Sequence, residues 1–253
     1  MLRAVLIDLS GTLHIAHRAL PGAVEAVLRL RRAGLQVRFV SNTSSRSRRQ
    51  LLDILNGLDL PVNPTELFTA PMAVVRHLAD LHLRPFLLVH PDLEEEFAGL
   101  QTGDPNAVVV GFAAEHFTYP RLNRAFQLLL QGAPLLATGK GRYFQGENGL
   151  QLDAGPFLAA LEYAAGTRAL VLGKPAPEFF RAALADLDCP PEAAVMIGDD
   201  VEMDINGALA AGLQAMLVRS GKFRPGDEKR IARPEASTVE DLAAAADLLL
   251  SGR

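Results

Sequence analysis

The hydrophobic residues of this chain follow two patterns that alternate along most of its length. Short runs that are apolar at nearly every position, such as residues 4–7 and 194–197, are separated by stretches whose apolar residues recur at helical spacing. Uninterrupted apolar runs are typical of strands buried on both faces of a parallel sheet. The alternation therefore predicts an α/β fold whose core is a doubly wound, Rossmann-like parallel sheet.

Turn residues and periodicity together place the individual elements. Pro21 and Gly22, for example, begin a helix that Gly34 ends, and Ser44 or Ser45 is expected to cap the next one. Strands are predicted at residues 4–8, 37–40, 67–69, 86–89, 107–110, 135–137, 169–172, 194–197 and 215–218. Helices are predicted at residues 21–33, 44–58, 71–81, 94–97, 121–130, 156–165, 177–187, 205–211 and 239–250, and loops at residues 13–20 and 138–149.

The middle of the chain has a different texture, with shorter elements and an acidic helical segment. We interpret residues 82–168 as a smaller α/β domain that is inserted into the first domain. The first domain then comprises residues 1–81 and 169–253. These boundaries rest on where the first pattern stops and where it resumes.

Composition narrows the range of functions. The chain has 253 residues, of which 49% are hydrophobic, so it can bury a large core in one or two domains. Its 25 basic and 29 acidic side chains give a net charge of −4, which offers no general attraction for nucleic acid or for an anionic membrane. A single cysteine, Cys189, permits no intrachain disulfide. With no signal peptide and no membrane-spanning run in this sequence, we expect a cytoplasmic protein.

Polar side chains stand at the carboxyl ends of four predicted strands. They are Asp8, Ser41 with Asn42, Lys174, and Asp199 with Asp200. Ligands of open α/β sheets bind beyond this edge, so these groups can converge. Carboxylates from two strands suit Mg²⁺, and a hydroxyl and an ammonium suit the oxygens of a phosphoryl group. Asp8 would then be the nucleophile, although the first motif alone is more typical of an aspartate that caps the loop after its strand.

The same segments resemble the four motifs of the haloacid dehalogenase superfamily of phosphohydrolases. The motifs are Asp8-Leu-Ser-Gly-Thr12, Ser41-Asn42, Gly173-Lys174-Pro175 and Gly198-Asp-Asp-Val-Glu-Met-Asp204. The insertion between the second and third motifs resembles the C2-type cap of the NagD and 4-nitrophenylphosphatase branch. Residues 6–14, 161–164 and 220–222 look most like the subgroup called haloacid dehalogenase-like hydrolase domain-containing protein 2, and the phospholysine phosphohistidine inorganic pyrophosphate phosphatases are similar too.

The resemblance implies a nucleophile and a metal site. Asp8 matches the nucleophile of the family. Together with Asp199 and the backbone carbonyl of Ser10, it would hold Mg²⁺.

The resemblance also implies how the phosphoryl group is bound. Ser41 and Asn42 would bind it, and Lys174 would neutralise the phosphate and the nucleophile together. Asp204 matches the second acidic position of the last motif and would support the site rather than ligate the metal. Asp200 would either support the site as well or cap the segment that follows it.

Ser10 stands where the family usually has a second aspartate that serves as general acid and base. A hydroxyl cannot exchange a proton near neutral pH as a carboxylate does, although its backbone carbonyl can still bind the metal. The two subgroups are similar in having serine there, which favours an altered enzyme over an inactive one. We therefore expect slow turnover, with a bias towards leaving groups that need no proton from the enzyme, such as phosphoamidates, pyrophosphate and aryl phosphates.

Further residues have both a functional and a structural interpretation. His14 could supply the missing proton from a loop over the site, or it could be a solvated loop histidine. The others are Lys140, Arg142 and Tyr143, which either contact substrate or belong to a surface loop, and Arg46, Arg48 and Arg49, which either attract phosphate or form a charged helix face.

Two functions from different classes follow from these observations. The first is a Mg²⁺-dependent phosphatase for a small phosphorylated substrate, without nucleic-acid or membrane partners, and a homodimer through the cap would be consistent with it. The second is a phosphate-ligand or protein-binding module that kept the site but lost proton transfer at Ser10. A nucleotide-binding α/β protein fits poorly, because the first turn lacks a Gly-x-Gly-x-x-Gly pattern and the chain has no P-loop.

Overall fold

The computed structural model describes residues 2–146, 149–234 and 236–251. The chain divides into two compact units. The first contains Met1–Ser41, Leu51–Phe68 and Lys174–Arg253, and the second contains Asn42–Gln50 and Thr69–Gly173. None of the helices in the described ranges is long and apolar enough to cross a lipid bilayer.

Strands and helices alternate over most of the chain. The strands are β1 (Ala4–Asp8), β2 (His14–Ile15), β3 (Arg18–Ala19), β4 (Gln36–Ser41), β5 (Leu67–Thr69), β6 (Pro85–Leu88), β7 (Ala107–Val110), β8 (Leu135–Ala137), β9 (Tyr143–Gly146), β10 (Gly149–Leu152), β11 (Leu170–Val171), β12 (Ala194–Gly198), β13 (Gln214–Val218) and β14 (Ser237–Val239). The α-helices are α1 (Ala23–Arg32), α2 (Arg48–Asn56), α3 (Ala70–Asp80), α4 (Tyr119–Leu130), α5 (Ala154–Ala165), α6 (Pro177–Ala185), α7 (Gly207–Ala210) and α8 (Leu242–Ser251).

The first unit is organised around a six-stranded sheet in the order β14-β13-β12-β1-β4-β5. Strand β1 lies inside the sheet and pairs in parallel with β12 on one side and with β4 on the other. The pairs β12–β13 and β13–β14 are parallel as well. Because these strands run in one direction, the residues that follow β1, β4, β12 and β13 all leave the sheet at the same edge.

Both faces of β1 are covered by other parts of the unit. Val5 and Ile7 pack in a cluster with apolar residues of α1, α2 and α8. The alternate residues Ala4 and Leu6, which point to the opposite face, are equally inaccessible to solvent. A strand that is buried on both faces needs apolar residues at every position, which explains the uninterrupted run in the sequence.

The second unit has a smaller parallel sheet in the order β11-β8-β7-β6 and a separate antiparallel hairpin, β9–β10. Its core lies between this sheet and two helices. Val108 and Val110 of β7 pack in one cluster with Leu128 of α4 and Leu158 of α5.

The residues that follow β4 belong to this second unit. The backbone N–H of Phe112 donates to the Ser44 hydroxyl at 3.2 Å, and the backbone N–H of Arg48 donates to the Glu96 carboxylate at 2.5 Å. The unit therefore extends beyond the insertion expected at residues 82–168, because residues 42–50 and helix α3 are part of it. Residues 169–173 belong to it as well, since β11, the strand predicted to resume the first domain, pairs with β8 of the smaller sheet.

The predicted α/β class with a parallel-sheet core is confirmed, but several loops and helix ends differ from the sequence prediction. The predicted loop at residues 138–149 contains β9 and leads into β10, while Glu147 and Asn148 lie outside the described residues. The predicted loop at residues 13–20 contains the antiparallel pair β2–β3. A π-helical segment, Val201–Asn206, precedes α7, and β14 precedes α8 in place of a helix that begins at residue 239.

The start of α2 also differs from the expectation of a cap at Ser44 or Ser45. The helix begins at Arg48, and the Ser47 hydroxyl accepts a hydrogen bond from the Gln50 N–H at 3.3 Å. In return, the Ser47 N–H donates to the Gln50 side-chain oxygen at 2.9 Å. This reciprocal pair is a capping box, which fixes the first turn of the helix.

Candidate active site

Asp8 is the last residue of β1 and is nearly buried at the carboxyl edge of the six-stranded sheet. The Lys174 ammonium donates to Asp8 Oδ1 at 2.5 Å and to Asp204 Oδ1 at 2.6 Å. The Lys174 side chain is only 4% exposed, so its charge faces these carboxylates rather than water. The structure thus brings together two residues that are 166 positions apart in the sequence, Asp8 and Lys174.

Asp199 completes a cluster of three carboxylates. It follows β12, the strand that pairs with β1, and one side-chain oxygen from each of Asp8, Asp199 and Asp204 lies within 4.8 Å of the other two. All three residues are buried. Among the described residues, this is the only group of three or more histidine, cysteine or acidic side chains placed closely enough to hold a metal ion.

Burial and mutual repulsion dominate the electrostatics of the cluster. Burial, and then the negative charge of Asp8, raise the pKa of Asp199 to about 6. Burial also raises the pKa of Asp204 above its usual range, although the adjacent Lys174 ammonium works against that shift. Burial alone would lower the pKa of Lys174, but the charges of Asp204 and Asp8 outweigh it and raise that pKa. Burial is thus the largest cause of both raised acidic pKa values, and repulsion from neighbouring carboxylates adds to it.

The donor set fits a hard divalent cation. Its ligands are carboxylate oxygens, which Mg²⁺ prefers, and three carboxylates face one buried ammonium. Asp204 already accepts hydrogen bonds at both oxygens, from Lys174 and from the backbone N–H of Asp200 at 3.2 Å. Asp8 and Asp199 are therefore the better candidates for direct metal ligands.

A loop after β13 closes against the turn that follows Asp8. The Ser220 hydroxyl donates to the Gly11 carbonyl at 2.6 Å, and the Lys222 N–H donates to Asp199 Oδ2 at 2.6 Å. Gly11 and Gly221 both have positive φ, and a Cβ on either one would overlap the Asp199 carboxylate. Only glycine allows the two turns to approach Asp199 this closely.

Asp200 caps the helical segment that follows it. Its Oδ1 accepts from the N–H groups of Glu202 and Met203, both at 3.1 Å, at the start of the π-helical segment. The capping interpretation therefore describes its contacts, and its other oxygen lies 3.4 Å from Lys222 Nζ.

The remaining motif residues lie at or next to the same sheet edge. Val40 of β4 is opposite Asp8, so Ser41 follows one position further along and is buried. Asn42 is half-buried and is the first residue of the second unit. Ser10 is exposed and forms an isolated β-bridge with His14.

His14 is not the solvated loop histidine that was one of its two interpretations, whereas its role as a proton donor stays a prediction. It is 7% exposed rather than solvated, and its Nδ1 lies 2.9 Å from the Ala16 carbonyl. A carbonyl only accepts, so Nδ1 carries the proton in this contact. The short β2–β3 hairpin explains the burial, because His14 belongs to a strand and not to an open loop.

Among the other weaker candidates, Lys140 and Arg49 have acidic partners. Lys140 Nζ is bound by both carboxylate oxygens of the buried Glu162, at 2.8 and 3.1 Å. Arg49 is exposed and lies 3.5 Å from Glu95, which is consistent with a charged helix face. Arg46 is exposed and precedes α2, and Arg48 is half-buried at the first position of that helix. Arg142 and Tyr143 are neighbours, and the Arg142 guanidinium lies 5.9 Å from the centroid of the Tyr143 ring.

Ser220 and Lys222 contact the site, yet the strand-end reasoning did not single them out. Strand β13 is parallel to β12, and its last residue, Val218, is followed by Ser220-Gly221-Lys222 at the same edge. The polar residues that follow this strand in the sequence could therefore have indicated that the loop contributes to the site.

Two family descriptions match separate parts of the chain. Haloacid dehalogenase-like hydrolase matches residues 5–102, and HAD-hydrolase-like matches residues 171–245. The chain is 50% identical over 250 residues to haloacid dehalogenase-like hydrolase domain-containing protein 2 of Rattus norvegicus, which covers 99% of this chain and 96% of that protein. It is 44% identical over 258 residues to phospholysine phosphohistidine inorganic pyrophosphate phosphatase of Xenopus laevis, covering 99% and 96%.

Solved structures with a similar fold also cover nearly the whole chain. A p-nitrophenyl phosphatase from Archaeoglobus fulgidus has a TM-score of 0.91 at 27% identity and covers 97% of this chain and 98% of its own. A 4-nitrophenylphosphatase from Thermotoga maritima has a TM-score of 0.89 at 26% identity and covers 97% of each chain. NagD from E. coli, at 24% identity with a TM-score of 0.86 and coverage of 96% and 97%, is similar in fold.

Proposed function

Because the chain belongs to the haloacid dehalogenase-like hydrolases, we propose that this phosphatase is Mg²⁺-dependent and transfers the phosphoryl group of a small substrate to Asp8. The observation that carries the proposal is the buried contact of the Lys174 ammonium with Asp8 and Asp204, beside Asp199. A carboxylate nucleophile, a fixed cation and a further carboxylate at one sheet edge are the groups that phosphoryl transfer needs. The predicted membership of this family is confirmed by the sequence relatives and the structural neighbours.

Each residue has a defined task in the proposed reaction. An Asp8 oxygen attacks phosphorus, the bond to the leaving group breaks, and water then attacks the phosphorus of the aspartyl-phosphate to release phosphate and restore the carboxylate. Lys174 neutralises negative charge on the phosphoryl oxygens and on Asp8. Ser41 and Asn42 bind the phosphoryl group. Bound by Asp8, Asp199 and the Ser10 carbonyl, Mg²⁺ would supply positive charge against the approaching phosphate.

Ser10 limits the substrates that this mechanism can use. Without a carboxylic acid next to the nucleophile, an alkoxide leaving group receives no proton, whereas phosphoamidates, pyrophosphate and aryl phosphates depart with less help. The names of the relatives agree with this bias, since they include a phospholysine phosphohistidine inorganic pyrophosphate phosphatase and nitrophenyl phosphatases. Ser10 is also the observation that favours the second candidate function, a weakly active or inactive module that binds a phosphate ligand or a protein.

Hydrolysis assays with four substrates distinguish these two functions. Phosphoramidate, pyrophosphate, 4-nitrophenyl phosphate and glycerol 3-phosphate are compared with Mg²⁺ and with a chelator, using wild type and Asp8→Asn. We expect Mg²⁺-dependent hydrolysis of the first three, little of the fourth, and none by the variant. Hydrolysis of none of them by wild type, with Mg²⁺ present, would favour the binding module.

Three further features belong to the same proposal. The second unit would act as a C2-type cap that selects the substrate, and the protein would work in the cytoplasm without nucleic acid or membrane. A homodimer through the cap is supported by the exposed apolar side chains of Tyr143, Leu150 and Leu152, which the hairpin register places on one face. Sedimentation analysis of wild type and of a Leu150→Asp, Leu152→Asp variant tests the dimer.

A further inference from the structure

Lys222 is a cation beside the proposed reaction centre that the mechanism above does not use. Its backbone N–H is bound by Asp199 Oδ2 at 2.6 Å, while its side chain is 69% exposed. The ammonium lies 3.4 Å from one oxygen of Asp200, and an exposed ion pair at this distance contributes little to stability. Lys222 is therefore anchored at its backbone and can exchange its side-chain partner for a better one.

Lys222 belongs to a loop that packs against the turn containing Ser10. Ser220 and Gly221 hold the loop against Gly11, the residue that directly follows Ser10. The loop that carries Lys222 thus packs on the turn where the family usually has its general acid. Lys174, in contrast, is enclosed by Asp8 and Asp204, where it serves the transferred phosphoryl group.

We infer that Lys222 determines specificity by binding an anionic leaving group, so that diphosphates are preferred over substrates with neutral or cationic leaving groups. The inference rests on the proposed function and narrows its substrate class. As the bond between phosphorus and the bridging oxygen breaks, the electron pair stays on that oxygen and the departing phosphate carries the added negative charge. The Lys222 ammonium meets this charge through a hydrogen bond, and no proton needs to be transferred.

The leaving groups that can depart without a general acid at position 10 differ in charge, and Lys222 interacts with each according to that charge. A cation attracts a departing phosphate strongly and a nitrophenolate less, since the phosphate has more charge and more acceptor oxygens. It repels the protonated amine that leaves from a phosphoamidate. Diphosphate is therefore the class that gains most from Lys222.

The test compares Lys222→Met, which removes the charge, with Lys222→Arg, which keeps it. The matched control is Lys229→Met, because Lys229 is an exposed lysine on the next short helical segment, Asp227–Arg230. For each variant, kcat and KM are measured with Mg²⁺ for pyrophosphate, 4-nitrophenyl phosphate and phosphoramidate. One charge-assisted hydrogen bond corresponds to roughly a ten- to hundredfold effect, so we expect kcat/KM of Lys222→Met to fall by that factor for pyrophosphate. The value for 4-nitrophenyl phosphate should change little and that for phosphoramidate should stay the same or rise, while Lys222→Arg and Lys229→Met should resemble wild type.

Ligand affinity tests the inference independently of the rate of hydrolysis. By calorimetry with Mg²⁺, we expect Lys222→Met to bind imidodiphosphate, a diphosphate that resists hydrolysis, about tenfold more weakly than wild type while it binds inorganic phosphate equally well. If kcat/KM falls equally for all substrates, or if both ligands bind to Lys222→Met as they do to wild type, the inference is wrong. A wild type that hydrolyses none of the substrates yet loses imidodiphosphate affinity on mutation would instead contradict the proposed function and retain the anion site.

Discussion

Lys174 is the residue on which the charge balance of the carboxylate cluster depends. It is buried and donates to both Asp8 and Asp204. Removing one partner of a buried ion pair leaves the other charges without compensation, which costs about 3–5 kcal/mol of unfolding free energy. A surface lysine would not have such an effect.

The variant Lys174→Met should be destabilised by that amount near neutral pH in the presence of a chelator. Without the ammonium, the folded-state pKa of Asp204, which burial already raises, rises further above its unfolded value. The folded variant then takes up protons as the pH falls, so its deficit should shrink from pH 8 towards pH 5. Urea denaturation at both pH values measures the deficit. An equal deficit at the two pH values, or unchanged affinity for vanadate, would argue against this role of Lys174.

Ser10→Asp tests whether the missing carboxylic acid limits the reaction. The substitution should raise the hydrolysis rate of glycerol 3-phosphate more than that of pyrophosphate, because general acid help is worth ~10²–10⁴-fold for a poor leaving group. The measurement is the steady-state rate of hydrolysis of both substrates by wild type and by the variant. If the two rates rise by the same factor, or if wild type already prefers the alkyl phosphate, another group supplies the proton.

The strand-end residues could be predicted because parallel strands share one carboxyl edge. Asp8 and Asp199 meet there for that reason, because β1 pairs in parallel with β12. Lys174 contacts Asp8 as well, but it follows β11, which the structure places in the smaller sheet, so the shared edge does not explain its position. The burial of His14 could not be predicted, since it lies in a hairpin whose strands have only two residues each and leave little signal in the sequence. The contact of Lys222 with Asp199 was equally hidden, because a backbone N–H donor leaves no mark in the residue type.

At the scale of elements, helix α5 carries a buried ion pair that the sequence pattern did not indicate. Glu162 is 6% exposed on this otherwise apolar helix. Its carboxylate accepts from the Ala169 N–H at 2.9 Å and from Lys140, and Arg168 lies 3.8 Å away. Burial works to raise its pKa, but the Ala169 N–H and the Lys140 ammonium outweigh burial and lower it.

Glu162→Gln should therefore destabilise the protein in a pH-dependent way. A carboxylate whose pKa is lower in the folded state stabilises the fold above its unfolded pKa, and this contribution is lost as the pH falls through the folded value. We expect a loss of ~1.5–3 kcal/mol at pH 7, typical of a hydrogen bond to a charged group, and a smaller loss near pH 4. Melting curves of wild type and variant provide the comparison. A difference that stays constant across this range would contradict the ionised role of Glu162.

The elements that sequence patterns predict well are those with an uninterrupted apolar run or with apolar residues at helical spacing over several turns. Strand β1 and helices α1 and α4 are of this kind. The hairpin β9–β10 was predicted as a loop because its glycines suggested turns. Strand β14 is equally short, and its place in the sheet depends on pairing with β13, which no local pattern encodes.

At the scale of the whole molecule, contacts between distant segments decide which unit a residue belongs to. Residues 42–50 follow a strand of the first unit but are held in the second by Glu96 and by Phe112. Changes in the hydrophobic pattern could locate an insertion, because the lengths and composition of successive elements can be read from the local sequence. They could not assign residues 42–50, whose hydrogen bonds to the second unit span 48 and 68 positions.

Chemical trapping of the phosphorylated enzyme tests most directly the claim that Asp8 carries the phosphoryl group. Wild type is quenched during hydrolysis of 4-nitrophenyl phosphate with Mg²⁺ and reduced with borohydride, which converts an aspartyl-phosphate to homoserine. Because Ser10 provides no base for the second step, the intermediate should accumulate. Peptide mass spectrometry should then find homoserine at position 8 in wild type with Mg²⁺, and neither with a chelator nor in Asp8→Asn. Homoserine at another aspartate, or continued hydrolysis by Asp8→Asn, would contradict the account.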